Sequence, residues 1–100
     1  MEVLEINPDN SRAYFLLGRI STQQGNIADA IHCLEKSLEK DPLLLEAHYL
    51  LALLRLEGDN IQEAITLFKK VIYINPEFVV AYYHLGVASS EELSGSLMSL

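Results

Sequence analysis

The chain has 100 residues, 50% of them hydrophobic, and a formal net charge of −7 from 14 acidic and 7 basic side chains. That length suits one domain with one modest core, and the hydrophobic content excludes disorder of the whole chain. The acidic balance excludes nucleic acid and anionic membrane as ligands, since both demand a basic surface. No apolar run reaches the roughly 18 residues of a membrane span, because Glu46, His48, Arg55 and Glu57 interrupt the richest region. Met1 is followed at once by acidic residues, so no signal peptide is expected. The single cysteine, Cys33, allows no internal disulfide, and a cytoplasmic location is expected.

Residues 1–7, MEVLEIN, read as the last turns of a helix, with Leu4 and Ile6 in register with Leu38 and Lys40 and then with Ile72 and Ile74. A first helix is predicted over Ser11–Gln24 and is broken by Gly25-Asn26. A second runs over Ile27–Lys40, with Ile27, Ala30, Ile31, Leu34 and Leu38 on one face, and Asp41-Pro42 ends it. The pattern then repeats, with helices over Leu44–Glu57 and Ile61–Ile74 around a turn at Gly58-Asp59-Asn60. The stretch AHYLLALLRLEG, residues 47–58, is apolar around most of its circumference, as befits a helix buried on several sides. A last helix is predicted from Val79 to about Ser90, and no helix-turn-helix signal follows in the tail EELSGSLMSL.

The three prolines, Pro8, Pro42 and Pro76, stand 34 residues apart, each after Asn or Asp. Ala13, Ala47 and Ala81 keep the same spacing, as do Tyr14, His48 and Tyr82, then Leu17, Leu51 and Leu85, then Gly18, Ala52 and Gly86. Ala30 and Ala64 are in register, and so are Leu34 and Phe68. This is an internal repeat. The proline supplies a stop for one helix, and the small residue lets the two helices of a pair approach closely.

At these positions the sequence resembles the tetratricopeptide family, whose signature of a large aromatic, Leu-Gly, a later Ala, a large apolar residue and Pro is matched by Tyr14, Leu17-Gly18, Ala30, Leu34 and Pro42. It is matched again by His48, Leu51-Ala52, Ala64, Phe68 and Pro76. Departures are the absence of tryptophan, His48 in an aromatic slot, and Ser21 and Arg55 where tyrosine is common. The resemblance implies an all-α fold, a right-handed superhelix of antiparallel helix pairs with the first helix of each pair lining the concave side. One tetratricopeptide-like domain is expected over residues 1–100. It comprises the end of a partial repeat (1–7), two full repeats (8–41 and 42–75), the first helix of an incomplete third (76–92) and a tail (93–100). The whole reads as a segment of a larger protein.

No catalytic, metal or cofactor site is expected. His32, His48 and His84 have no close Cys or carboxylate at ligand spacing, and His48 is expected in the core. Cys33 lacks a basic activator and is expected as a small buried hydrophobe. The resemblance instead implies a peptide-binding groove, with Phe15, Tyr49 and Tyr83 as aromatic rungs, Arg19, Leu53 and Val87 one turn further on, and Arg12, Glu46 and Val80 nearly one turn before. Such rungs suit an extended or helical peptide. The clamp with which chaperone-binding relatives hold a terminal carboxylate is missing, since Phe15, Arg19, Leu50, Val80 and His84 stand at its positions.

The expected function is a non-enzymatic protein–protein interaction module with a protein or peptide partner. Two alternatives stay open. One is a regulatory or assembly appendage of an enzyme whose catalytic domain lies elsewhere, such as a chemotaxis-receptor methyltransferase, which the run YINPEFVVAYYHLG resembles. The other is pure assembly, in which repeats bind only each other. The last helix presents Tyr82 and Leu85 without a partner helix in the sequence, so a homodimer through the C-terminal end is expected. Its rival is a lid formed by Leu93, Leu97 and Leu100, weakened by Ser94, Gly95, Ser96 and Ser99.

Overall fold

A computed structural model describes residues 10–98, with side chains described through residue 90. Five α-helices occupy them: α1 (Ser11–Gln23), α2 (Ile27–Lys40), α3 (Leu45–Glu57), α4 (Ile61–Ile74) and α5 (Val79–Met98). No strand occurs among the described residues. The helix end expected in residues 1–7, with Leu4 and Ile6, lies outside them.

The repeated Asx-Pro step sets two helix ends by one mechanism. Proline excludes the α region for the residue before it, and Asp41 and Asn75 both adopt extended backbone, with φ −143 and ψ 91 for the first and φ −142 and ψ 94 for the second. Their amides still close the helix, Asp41 on the Ser37 carbonyl and Asn75 on the Val71 carbonyl, each at 2.9 Å. Their side chains then turn the chain, with Asp41 Oδ1 accepting from the Leu43 amide and Asn75 Oδ1 from the Glu77 amide, both at 3.1 Å. A proline with a short hydrogen-bonding residue before it therefore stops a helix and starts the next connection.

The turns between paired helices are also in register. Gly25 takes φ 82, and Asp59, 34 residues later, takes φ 66. The amides that follow reach back to the preceding helix, Asn26 to the Ser21 carbonyl at 2.9 Å and Asn60 to the Arg55 carbonyl at 2.8 Å. This six-to-one bond satisfies a carbonyl that the helix end would leave bare. Asn10 caps the start of α1, its Oδ1 accepting from the amides of Arg12 at 2.8 Å and Ala13 at 3.3 Å.

Residues up to Leu50 form one compact unit and residues from Leu51 form another. In the first unit α1 and α2 run antiparallel. Ser11, at the start of α1, meets Ser37, near the end of α2, while Gly18 faces Ala30 and Leu34. A Cβ at Gly18 would lie 3.0 Å from both Cγ and Cδ2 of Leu34. Ala30 and Leu34 are fully buried, so the contact has no slack. Burial of Leu34 contributes about 1.5–3 kcal/mol. His48 is buried as expected, with Nε2 donating to the Pro42 carbonyl at 2.7 Å. Its Nδ1 is buried with no hydrogen-bond partner among the described residues.

In the second unit α4 buries Ala64, Ile65, Phe68 and Val71, and α5 packs on it through a face that buries Ala81 and Ala88. The His84 ring stacks on Phe68, with centroids 5.4 Å apart and planes 10° from parallel. Arg55 pairs with Glu63 at 3.4 Å across the turn between α3 and α4.

One element differs from expectation. α5 does not stop near Ser90 but continues to Met98. Glycine and serine in a helix interior each cost up to about 1 kcal/mol relative to alanine, but no proline or C-terminal glycine turn interrupts the segment. The backbone of residues 91–98 thus runs on as helix and does not turn back as a lid; the side chains of Leu93 and Leu97, and Leu100 altogether, lie outside the described set.

Two glycines at one register position are expected to respond oppositely to alanine. Gly18→Ala gains helix propensity but presses a methyl into Leu34, and overpacking costs about 1–3 kcal/mol, for a net loss on the order of 1 kcal/mol. Gly86 has nothing among the described residues within 4 Å of a new Cβ, so Gly86→Ala is expected to gain about 1 kcal/mol. Urea denaturation followed by circular dichroism should show the midpoint falling for the first and rising for the second; a shift in the same direction for both contradicts this packing.

Candidate interaction surfaces

The residues expected to line a groove fall in both units and differ widely in exposure. In the first unit Arg12 and Glu46 form an ion pair at 3.3 Å, with side chains 54% and 47% exposed. Such a surface pair contributes about 0–1 kcal/mol and remains available to a ligand. Arg19 is exposed and Tyr49 half-buried. Burial pushes the Tyr49 hydroxyl above its ordinary range. Phe15 is only 7% exposed. Expected as an open rung, it is a core residue of the first unit.

In the second unit Leu53 and Val87 are half-buried, while Val80 and Tyr83 are open, with Tyr83 68% exposed. The Tyr83 ring stands edge-on to His84, at 5.4 Å between centroids and 72° between planes. Since His84 stacks on the fully buried Phe68, three rings connect the core to an exposed tyrosine. Edge-to-face and offset-stacked arrangements suit the quadrupoles of such rings. The two residues expected at a self-association surface separate, Tyr82 being exposed and Leu85 half-buried.

Two features of these surfaces escape a residue-by-residue reading. One is the ring series, because His84 gives no sign in the sequence of stacking on Phe68. The other is a reciprocal serine clasp between α1 and α2: Ser11 Oγ donates to the Ser37 carbonyl at 2.9 Å and Ser37 Oγ to the Ser11 carbonyl at 2.8 Å. Its signal is a paired change between repeats, since Leu45 and Val71 stand at the positions of Ser11 and Ser37.

No group of three His, Cys, Asp or Glu side chains among the described residues could hold a metal ion, and no described helix is long and apolar enough to cross a membrane. Cys33 is half-buried rather than fully buried as expected. Burial, and then the nearby Asp29 carboxylate, push its thiol above the ordinary cysteine value. That is the reverse of what a nucleophilic thiol needs.

Helices paired through a small residue, in repeats of 34 residues ended by Asx-Pro, define an all-α tetratricopeptide-type repeat protein, a class built to bind other proteins. A family model described as anaphase-promoting complex, cyclosome, subunit 3 matches residues 2–71, and the chain belongs to this family. Among solved structures it is similar to the crystal structure of MamA, with a TM-score of 0.83 and 26% sequence identity over 86% of this chain and 50% of that one. It is also similar to a second crystal structure of the MamA protein, with a TM-score of 0.81 and 26% identity over 83% of this chain and 45% of that one. The chain thus spans about half the length of these solved chains. No curated protein matches the sequence.

The raised thiol value of Cys33 has a direct readout. At pH 8 its alkylation by iodoacetamide in the folded protein should be slower than that of a free cysteine peptide, and should accelerate as pH rises. Alkylation faster than the peptide would contradict this environment.

Proposed function

We propose that this chain is a non-enzymatic interaction module that captures a peptide or helical segment of a partner protein on the first helices of its repeats. The observation that supports this most is Tyr83. An exposed aromatic ring that is already held by its neighbours loses little entropy on binding, and rigid aromatics dominate binding energy at protein interfaces. Val80 lies on the same helix one turn earlier and Val87 one turn later, and no charged side chain occurs from Val79 to Ser90. In the first unit the proposed contacts are Tyr49 with Arg12, Arg19 and Glu46; in the second they are Leu53, Val80, Tyr83 and Val87.

The reading includes a second contact surface at the end of the chain, at Tyr82 and Leu85, for which a homodimer is the occupant expected from the sequence. The family description, a subunit of a complex, favours assembly as the use of both surfaces. An appendage to an enzyme whose catalytic domain lies outside these residues would employ the same side chains. We place the module in the cytoplasm because its single cysteine suits a reducing compartment, and its acidic charge favours a protein partner over nucleic acid or an anionic membrane.

Selection from a random peptide library tests the first surface. Peptides recovered on the wild-type chain should lose about thirtyfold in affinity, roughly 2 kcal/mol, with Tyr83→Ala, and a smaller factor with Tyr49→Ala. Lys69→Ala, an exposed position on α4, should leave affinity unchanged. Equal losses at Tyr83 and Lys69 would place the binding site elsewhere.

A further inference from the structure

α1 is a basic helix in an acidic protein. Acids outnumber bases 14 to 7 in the chain, yet none occurs from Ser11 to Ala28, and that stretch holds Arg12 and Arg19. The residues in register are Glu46 and Val80 for the first and Leu53 and Val87 for the second, so the other first helices carry no cation there. Both arginines are exposed. Seven residues apart, they lie on one side of α1, separated by roughly 10 Å along its axis.

Neither arginine serves the helix that bears it. Arg12 stands in the first turn, where the backbone dipole disfavours a cation. Arg19 lies short of the last turn, which holds no basic residue, and so gains nothing from the opposite pole. α1 contains no acid with which either could pair along the helix. Solubility does not call for them, since the chain already carries a net charge of −7 and each arginine reduces it. Arg12 is held by Glu46 of α3 through a single nitrogen, Nη2, at 3.3 Å. Arg19 has no ion pair among the described residues.

We propose that Arg12 and Arg19 together bind two side-chain carboxylates of a partner helix, and that Glu46 competes with that helix for Arg12. This rests on the reading of the first helices as a capture surface and names the chemistry of the ligand. A guanidinium fork fits a carboxylate with two parallel hydrogen bonds. A ligand helix lying along α1 presents acids seven positions apart on one side, at the same spacing of roughly 10 Å. The net charge of the chain repels acids placed elsewhere on the ligand, so the two arginines fix its register as well as its class. Glu46 already occupies part of the Arg12 fork, whereas Arg19 is open, so removing Glu46 should improve binding.

The probe is a labelled synthetic helix of alanine and glutamine with a leucine stripe and two glutamates seven positions apart, amidated so that no terminal carboxylate takes part. Its twin carries glutamine in place of both glutamates. Fluorescence anisotropy against the whole chain at low salt should show saturable binding of the first, and binding of the twin weaker by about tenfold or more, the scale of one charge-assisted hydrogen bond. Arg19→Glu should weaken the first probe by at least as much, and Arg19→Gln in the same direction. Glu46→Gln should tighten it. Glu57→Gln, the same change of charge at an exposed position on α3, should not. Every variant alters an exposed side chain and should keep the helical circular dichroism of the wild type. Equal binding of the twins, indifference to Arg19, or equal tightening by Glu46→Gln and Glu57→Gln overturns the proposal. Binding of single-stranded DNA or of phosphatidylserine vesicles that depends on Arg19 assigns the pair to phosphate and also overturns it. Library peptides that depend on Tyr83 while the probe fails to bind overturn this inference alone; if neither binds, both readings fall.

Discussion

The closeness of two helices at one small residue governs the N-terminal unit. At Gly18 the backbone of α1 comes near enough to Leu34 that a methyl group would crowd it at 3.0 Å. That approach lets Ala30, Leu34 and Ser37 become fully buried on α2, and it brings the Ser11 and Ser37 hydroxyls within bonding distance of each other's backbone carbonyls. A larger residue at position 18 would push the helices apart and leave both the leucine and the serines short of their partners. Polar groups buried without partners cost about 1–3 kcal/mol each. The apolar contact and the serine clasp are thus tied to one geometry.

A second constraint makes that geometry reachable. The connections must deliver the second helix to the first at the correct rotation, and the chain does so with local chemistry alone. Proline forbids the preceding residue from continuing the helix, the Asx side chain turns the backbone, and a left-handed residue at position 25 or 59 closes the tight turn. Local preference and tertiary packing agree at each of these points, which is how a sequence comes to specify one fold.

This agreement explains what could be read from the sequence. The spans of α2 and α4 coincide with those predicted because an Asx-Pro step ends each and a glycine-containing turn precedes each. α1 and α3 differ by one residue at one end. α5 was misjudged because serine and glycine lower helix propensity without imposing a stop, whereas proline imposes one. Exposure was much less legible. Phe15 and Tyr83 hold the same register, yet one is 7% and the other 68% exposed. Register tells which way a side chain points from its own helix, while exposure depends on what has packed there. The paired replacement of Ser11 and Ser37 by Leu45 and Val71 in the next repeat was visible, but only the structure shows that the serines bond.

The account turns on the contact between Gly18 and Leu34, and a double-mutant cycle between them tests it most directly. Leu34→Ala removes both the Cγ and the Cδ2 that crowd position 18, so it should cost less in a chain that already carries Gly18→Ala than in the wild type. The account predicts a coupling free energy of about 1 kcal/mol, within the range for residues in direct contact, with the double variant more stable than the sum of its singles. Additivity within error would contradict the claim that this close approach sets the helix pair.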